Sequence, residues 1–264
     1  TELYKVSVDD GEMTQLTDRR GPDSSPKVSP DGNKIAYLGY DDNMDSYQLT
    51  NAYVMNADGS EKRVLTDNFD RSVSNLQWSK DGLYLQYDDE GNGKIGFISL
   101  SEDDEIQKVA DDRGGTTIGR PYGSGSYTVS SSGHIAYTYA TPYHPGDVAV
   151  SDQDGSMNRL TNVNEDLFGH KRLGEVEEIW YKSSYDGKQI QGWIIKPPNF
   201  NPDKKYPLIL EIHGGPHTNY GDRFTAELQL MAAKGYVVIY INPRGSTSYG
   251  KAFGNYIHHN YPSE

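Results

Sequence analysis

The sequence predicts a mixed β and α/β protein. Residues 1–161 read as a partial β-propeller, about three blades plus a remnant, and residues 179–264 as an α/β unit. Three observations carry this. Two turn landmarks recur with one period of about fifty residues. An apolar run, Leu208 to Ile212, ends abruptly in His213-Gly214-Gly215-Pro216. A second apolar run, Tyr236 to Ile241, follows after one helix-length segment.

The first landmark is a turn followed by an alternating strand: Ser29-Pro30-Asp31-Gly32, Ser79-Lys80-Asp81-Gly82 and Ser130-Ser131-Ser132-Gly133, with glycines 50 and 51 residues apart. The second is an Asp-Gly turn leading to Leu-Thr: Asp10-Gly11 to Leu16-Thr17, Asp58-Gly59 to Leu65-Thr66, and Asp154-Gly155 to Leu160-Thr161. The threonines lie 49 and 95 residues apart, one period and two, and Val109-Ala110 stands at the intermediate place. Asp-Gly between alternating strands is a strong hairpin signal. Each unit holds two such turns and four short strands, which points to propeller blades, with a β-sandwich as the competing architecture. Residues 18–66, 67–110 and 111–161 give three units, and residues 1–17 the last two strands of another. A closed propeller has ~4–8 blades.

Residues 162–178 read as the connection between domains. An aromatic hairpin then runs from Glu178 across Asp186-Gly187 to Ile195, closed by Pro197-Pro198. Leu208 to Ile212 reads as a parallel strand buried on both faces, because its apolar residues are nearly continuous. Phe224, Leu228 and Met231 fall on one helix face, with Asp222 as N-cap and Gly235 past the C-terminus. Strand, helix and strand of this length make a βαβ unit. Gly214-Gly215 can turn sharply and bare their N–H groups, and amide hydrogens at the carboxyl end of a parallel strand form a site for negative charge. In acyl transfer that charge is the oxyanion.

Composition narrows the classes. Among 264 residues, 21 are Tyr and only 6 are Phe, which suits half-wet strands. The net charge of -13 argues against nucleic acid and anionic membrane surfaces. It reads first as solubility, and second as a preference for basic peptides. With no cysteine, disulfides, thiolate catalysis and Cys-based zinc sites are excluded. No apolar run approaches the ~18 residues of a membrane span. No signal peptide opens the sequence, so a cytoplasmic location is expected. His258-His259 are adjacent and do not converge on one ion; no metal and no cofactor is expected. Glu177-Glu178 read as solvated strand residues.

Repeated β units followed by the hairpin with Gln191-Gly192-Trp193, the strand with His213 to Pro216, a helix, a strand and Asn242-Pro243-Arg244-Gly245-Ser246-Thr247-Ser248-Tyr249-Gly250 resemble the prolyl oligopeptidase family of serine peptidases. The branch is that of the acylaminoacyl peptidases and bacterial dipeptidyl peptidases. The likeness implies the N-terminal part of an α/β-hydrolase domain after the propeller, which screens the active site so that short peptides enter. It implies Ser-His-Asp acyl transfer, with the serine on a Gly-x-Ser-x-Gly elbow. The sequence contains no such elbow. The triad is therefore expected beyond Glu264, the chain is expected to be a truncated piece inactive alone, and Thr1 reads as the middle of a strand.

One oxyanion donor in this fold comes from the loop that His213 to Pro216 occupies, and Gly215 is the candidate N–H. His213 is weighed as structural against a donor, with Gly214 and Pro216 as supporting loop. Arg244 is weighed as a loop anchor against a ligand for a substrate carbonyl or carboxylate, and Tyr249 as packing against substrate contact. The expected partner is a peptide, and exposed strand edges favour a homo-oligomer. The alternative function is a propeller module that holds peptides beside a non-catalytic hydrolase domain.

Overall fold

A computed structural model describes residues 1–100, 105–115 and 118–261. Its first part is a series of antiparallel sheets. β1 (Tyr4–Val6) and β2 (Met13–Gln15) form a two-stranded sheet. β3 (Asp23–Val28), β4 (Lys34–Gly39), β5 (Asn51–Asn56) and β6 (Arg63–Val64) form a four-stranded meander. β7 (Val73–Trp78), β8 (Leu83–Asp89), β9 (Asn92–Ile98) and β10 (Gln107–Ala110) repeat it, as do β11 (Tyr127–Val129), β12 (Ile135–Thr141), β13 (His144–Ser151) and β14 (Met157–Arg159). Each periodic unit of the sequence is thus one sheet.

The landmarks have a physical cause. Gly32, Gly82 and Gly133 all take positive φ at the turns, where a Cβ is disfavoured. The Leu-Thr threonines stitch strands together. Thr66 Oγ1 accepts from Ala52 N–H at 3.0 Å and donates to Asn51 Oδ1 at 2.9 Å. Thr161 makes the same pair with Val148 N–H and Asp147, and Thr17 with Leu3 N–H and Glu2. Where Ala110 replaces threonine the stitch cannot form. Thr66→Val keeps the shape but orphans the N–H of fully buried Ala52. It is expected to cost about 1–3 kcal/mol, read as faster amide exchange in β5 and β6.

The sheets stack face to face in sequence order. Leu3 and Leu16 pack on Ile35, Tyr37 and Met55. The opposite face, Ala36, Leu38 and Val54, packs on Leu76, Leu83 and Leu85 of the next sheet. That sheet's other face, Tyr84, Ile95 and Phe97, packs on Ile135 and Tyr137. Among the described residues, no packing of the last sheet against the first closes the series.

The chain then crosses through a short helix, α1 (Glu165–Phe168), to β15 (Glu175–Lys182), which starts three residues earlier than the sequence predicts. β16 (Gln189–Lys196), β17 (Leu208–Ile212) and β18 (Val237–Asn242) complete a mixed sheet of order β15-β16-β18-β17. β17 and β18 are parallel, as expected of the βαβ unit, while β15–β16 and β16–β18 are antiparallel.

Two expectations are corrected. β17 is the outer strand of its sheet, and only one face is covered. Leu208, Leu210 and Ile212 are 60%, 51% and 59% exposed. Ile209, on the other face, packs with Leu228 and Ala232 of the helix α2 (Ala226–Ala233). That helix is capped at Thr225, not Asp222, so Phe224 is buried ahead of it. Gly235, at φ +92°, follows the C-terminus as expected. A short helix, α3 (Lys251–Gly254), follows the β18 loop and runs into a 3-10 turn, Asn255–Ile257.

Candidate active site

β17 and β18 run parallel, so the loops at their carboxyl ends share one edge of the sheet. A dense set of hydrogen bonds joins them. His213, 7% exposed, donates from Nδ1 to the Gly214 carbonyl at 2.9 Å and sets Nε2 2.9 Å from Ser246 Oγ. Thr247 N–H donates to Thr218 O at 3.0 Å, and Thr247 Oγ1 to Asn219 Oδ1 at 2.7 Å. Buried Asn242 accepts from Tyr220 N–H at 2.8 Å and donates to Tyr220 O at 2.9 Å. Burial pushes the His213 imidazole below its ordinary pKa, against the opposing pull of its hydrogen bonds. It is a neutral strut between two loops.

Gly214 and Gly215 are exposed beside this strut. Gly215 has φ +131°, a conformation that L side chains rarely adopt. Among the described residues, neither glycine N–H meets an acceptor. Two free amide donors at the carboxyl end of a parallel strand can hold a negatively charged oxygen. Pro216, with no N–H to give, follows them.

Arg244 is engaged elsewhere. Its Nε donates to Asp186 Oδ2 at 3.0 Å, and its Nη2 to Asp186 Oδ1 and Ser183 Oγ, each at 2.5 Å. The guanidinium pulls the Asp186 carboxyl down to about 2. This fork ties the β18 loop to the turn between β15 and β16. Tyr249 donates its hydroxyl to Gln191 Oε1 and accepts from Asn242 Nδ2 at 2.6 Å, and its ring lies edge-on to Trp180. The Tyr249 hydroxyl and the Nε and Nη2 groups of Arg244 thus have partners within the protein.

Asn242 and Ser246 stood out in the sequence only as members of the motif from Asn242 to Gly250, with no part in this frame assigned to them, and neither Tyr220 nor the arm described next carried a signal. Residues 118–122, between β10 and β11, cross to the mixed sheet. Ile118 O accepts from Glu227 N–H and Pro121 O from Gly221 N–H, each at 2.9 Å. Arg120 pairs with Glu211 on β17 and Glu227 on α2.

A cavity of about 440 Å³ lies between the antiparallel sheets and the loops of the mixed sheet. Tyr47, Gln86, Asp88, Arg113, Asn219 and Ser248 are on its wall, and Gly214 and Gly215 are not. Asp88 receives Arg113 Nη2 at 2.9 Å and lies 3.6 Å from Arg223 Nη2, which joins the β8 end to the segment before α2. Among the described residues no group of three or more His, Asp or Glu could hold a metal. No helix there is long and apolar enough to cross a membrane.

Residues 222–264 match the model of the prolyl oligopeptidase family. The uncharacterized peptidase YuxL of Bacillus subtilis (strain 168) is 32% identical over 70% of this chain and 27% of its own length. Dipeptidyl-peptidase 5 of Aspergillus fumigatus is 30% identical over 92% of this chain and 33% of its own. Among solved structures, the Pyrococcus horikoshii acylaminoacyl peptidase superposes with a TM-score of 0.74 at 27% identity, over 92% of this chain and 36% of that one. The chain thus spans about a third of the length of these relatives. With the family model matched at the β18 loop, relatives aligned along most of the chain and a solved structure superposed on it, this chain belongs to the prolyl oligopeptidase family.

Proposed function

We propose that the full-length protein is a serine-type peptidase that hydrolyses short peptides by Ser-His-Asp acyl transfer. Residues 1–161 are then blades of a propeller that gates access, residues 162–178 the interdomain connection, and residues 179–264 the N-terminal part of an α/β-hydrolase domain. The face-to-face stacking of successive four-stranded sheets supports the blade reading. The names of the relatives, a dipeptidyl peptidase and an acylaminoacyl peptidase, support a peptide substrate.

The observation that carries the proposal is the pair of exposed, unpartnered amide donors at Gly214 and Gly215. In this mechanism the N–H of Gly215 receives the oxyanion of the tetrahedral intermediate, and a second donor adjoins the nucleophile. His213, held by Gly214 and Ser246, keeps the loop in place. The engagement of Arg244 with Asp186 and of Tyr249 with Gln191 supports anchoring over substrate contact.

The test is a fluorophosphonate probe applied to the full-length protein. The expected result is covalent labelling of one serine, slowed by a competing short peptide. A folded protein that takes no label removes the peptidase reading and leaves the peptide-holding module as the surviving one.

A further inference from the structure

We infer that Arg120 is a positioning residue for the Gly214-Gly215 loop, acting on it through Glu211, Tyr220 and His213. The inference rests on the peptidase reading, because it assigns that loop the oxyanion donor. Arg120 comes from the arm between β10 and β11, on the antiparallel-sheet side of the molecule. Its Nε donates to Glu211 Oε1, 91 residues further along the chain. The same Oε1 accepts the hydroxyl of Tyr220 at 3.0 Å. The Tyr220 ring is fully buried and stands edge-on to His213, with centroids 5.0 Å apart and planes at 87°. His213 in turn bonds the Gly214 carbonyl and faces Ser246. Every link from arm to loop is therefore a hydrogen bond or a ring contact.

The charge at the head of this chain matters. The Glu211 side chain is only 14% exposed on β17, and Arg120 is the cation that pairs with it. Removing one partner of a shielded pair leaves the other without compensation. The freed carboxylate turns toward water, and the Tyr220 hydroxyl loses its acceptor. Burial, first, and then Glu211 keep that phenol far above its ordinary pKa, so it remains a donor in need of an acceptor. The ring keeps its contacts with Tyr122 and Tyr240 but loses the bond that fixes its hydroxyl end, and its tilt against His213 is less tightly set. Displacements well under an ångström at reacting groups cost rate, since ~1 Å costs on the order of a hundredfold.

The arm itself does not depend on Arg120. Backbone bonds from Ile118 and Pro121, and the Thr225 hydroxyl on the Gly119 carbonyl, hold it independently. Arg120 also pairs with Glu227 on α2, whose side chain is 41% exposed. That second pair is a control for general docking of the arm.

The experiment compares Arg120→Ala, Arg120→Lys and Glu227→Gln in the full-length protein, by peptide hydrolysis and by amide exchange over residues 211–213, which lead into the loop. Arg120→Ala is expected to lower kcat about tenfold with KM within about twofold, and to speed exchange at 211–213. Arg120→Lys restores the charge without the fork and recovers at least about threefold of that loss. Should Arg120→Ala not fold, the lysine variant carries the test, with a partial loss in both readouts. Glu227→Gln is expected to match the wild type in both. Unchanged exchange in Arg120→Ala, or an equal effect from Glu227→Gln, overturns the inference. The exchange readout needs no catalysis, so a wild type without activity counts against the peptidase reading alone.

Discussion

Replacing Gly215 with alanine in the full-length protein is expected to lower kcat about a hundredfold while KM stays within about threefold. Gly215 sits at φ +131°, and an added Cβ would lie 3.0 Å from the backbone nitrogen of His217 and 3.1 Å from Thr218 Cγ2. The first neighbour is main chain and cannot swing aside. Thr218 is fixed too, since its carbonyl accepts from Thr247 in the β18 loop. The alanine therefore turns φ back toward an ordinary value, at about 1–3 kcal/mol of relieved or transferred strain. The turn carries the residue 215 N–H away from where the oxyanion forms. Losing one preorganised donor costs about 2.7–4 kcal/mol in the barrier. Such a donor acts on the transition state and hardly on the bound substrate, so the loss falls on kcat. Gly214 provides the contrast. A Cβ there meets nothing within 4 Å, so Gly214→Ala leaves the chain path intact and its effect is expected to be several times smaller. Steady-state kinetics on a short peptide ester or anilide measure both. Equal kcat in Gly215→Ala and wild type removes the oxyanion role from this loop.

What the sequence disclosed follows the range of the forces involved. The sheets were legible because their signals are local. Asp58-Gly59 fixes a turn within four residues, with Asp58 accepting from Ser60 N–H and Gly59 at positive φ. The Leu-Thr stitch recurs because it joins a strand to its hairpin neighbour, about fourteen residues away. The βαβ unit was legible for the same reason. The apolar run of β17 was overread. Continuous Leu and Ile predict covered faces, but alternation alone cannot tell an inner strand from an outer one. The N-cap was misplaced because Asp222 and Thr225 both suit the position, and the choice was settled by the Thr225 hydroxyl reaching Gly119 more than a hundred residues away. Arg244 left two roles open on sequence alone; its partner Asp186, 58 residues earlier, favours anchoring. Arg120 carried no signal at all, since nothing near it in sequence hints at Glu211.

Trp193→Ala is expected to destabilise the mixed sheet by about 3–5 kcal/mol. Trp193 lies on β16, the strand between β15 and β18, and is fully buried. Its indole stacks on Tyr240 of β18, with centroids 5.1 Å apart and planes at 13°. Leu228 and Ala232 of α2 complete the cluster. The ring also reaches the neighbouring sheet, because a Cβ at Gly91 would stand 2.8 Å from Trp193 Cη2. Truncation therefore opens a void bounded by β18, α2 and the Gly91 turn, and a void walled by regular elements collapses poorly. The indole N–H, however, has no hydrogen-bond partner in this core. An unmet buried donor costs about 1–3 kcal/mol. Trp193→Phe removes that cost along with part of the ring, so its net loss is expected to be below about 1.5 kcal/mol. Native-state amide exchange separates these outcomes. Trp193→Ala should lower protection in β16 and β18 and leave β4 and β5, which belong to other clusters, near their original values. The β18 loop hangs from the same strand, with Asn242 holding Tyr220 at its end. A folded Trp193→Ala protein is thus expected to lose kcat as well, whereas Trp193→Phe keeps it. Equal protection losses in the alanine and phenylalanine variants would overturn this account, since phenylalanine keeps much of the ring volume and an unmet N–H is only a cost.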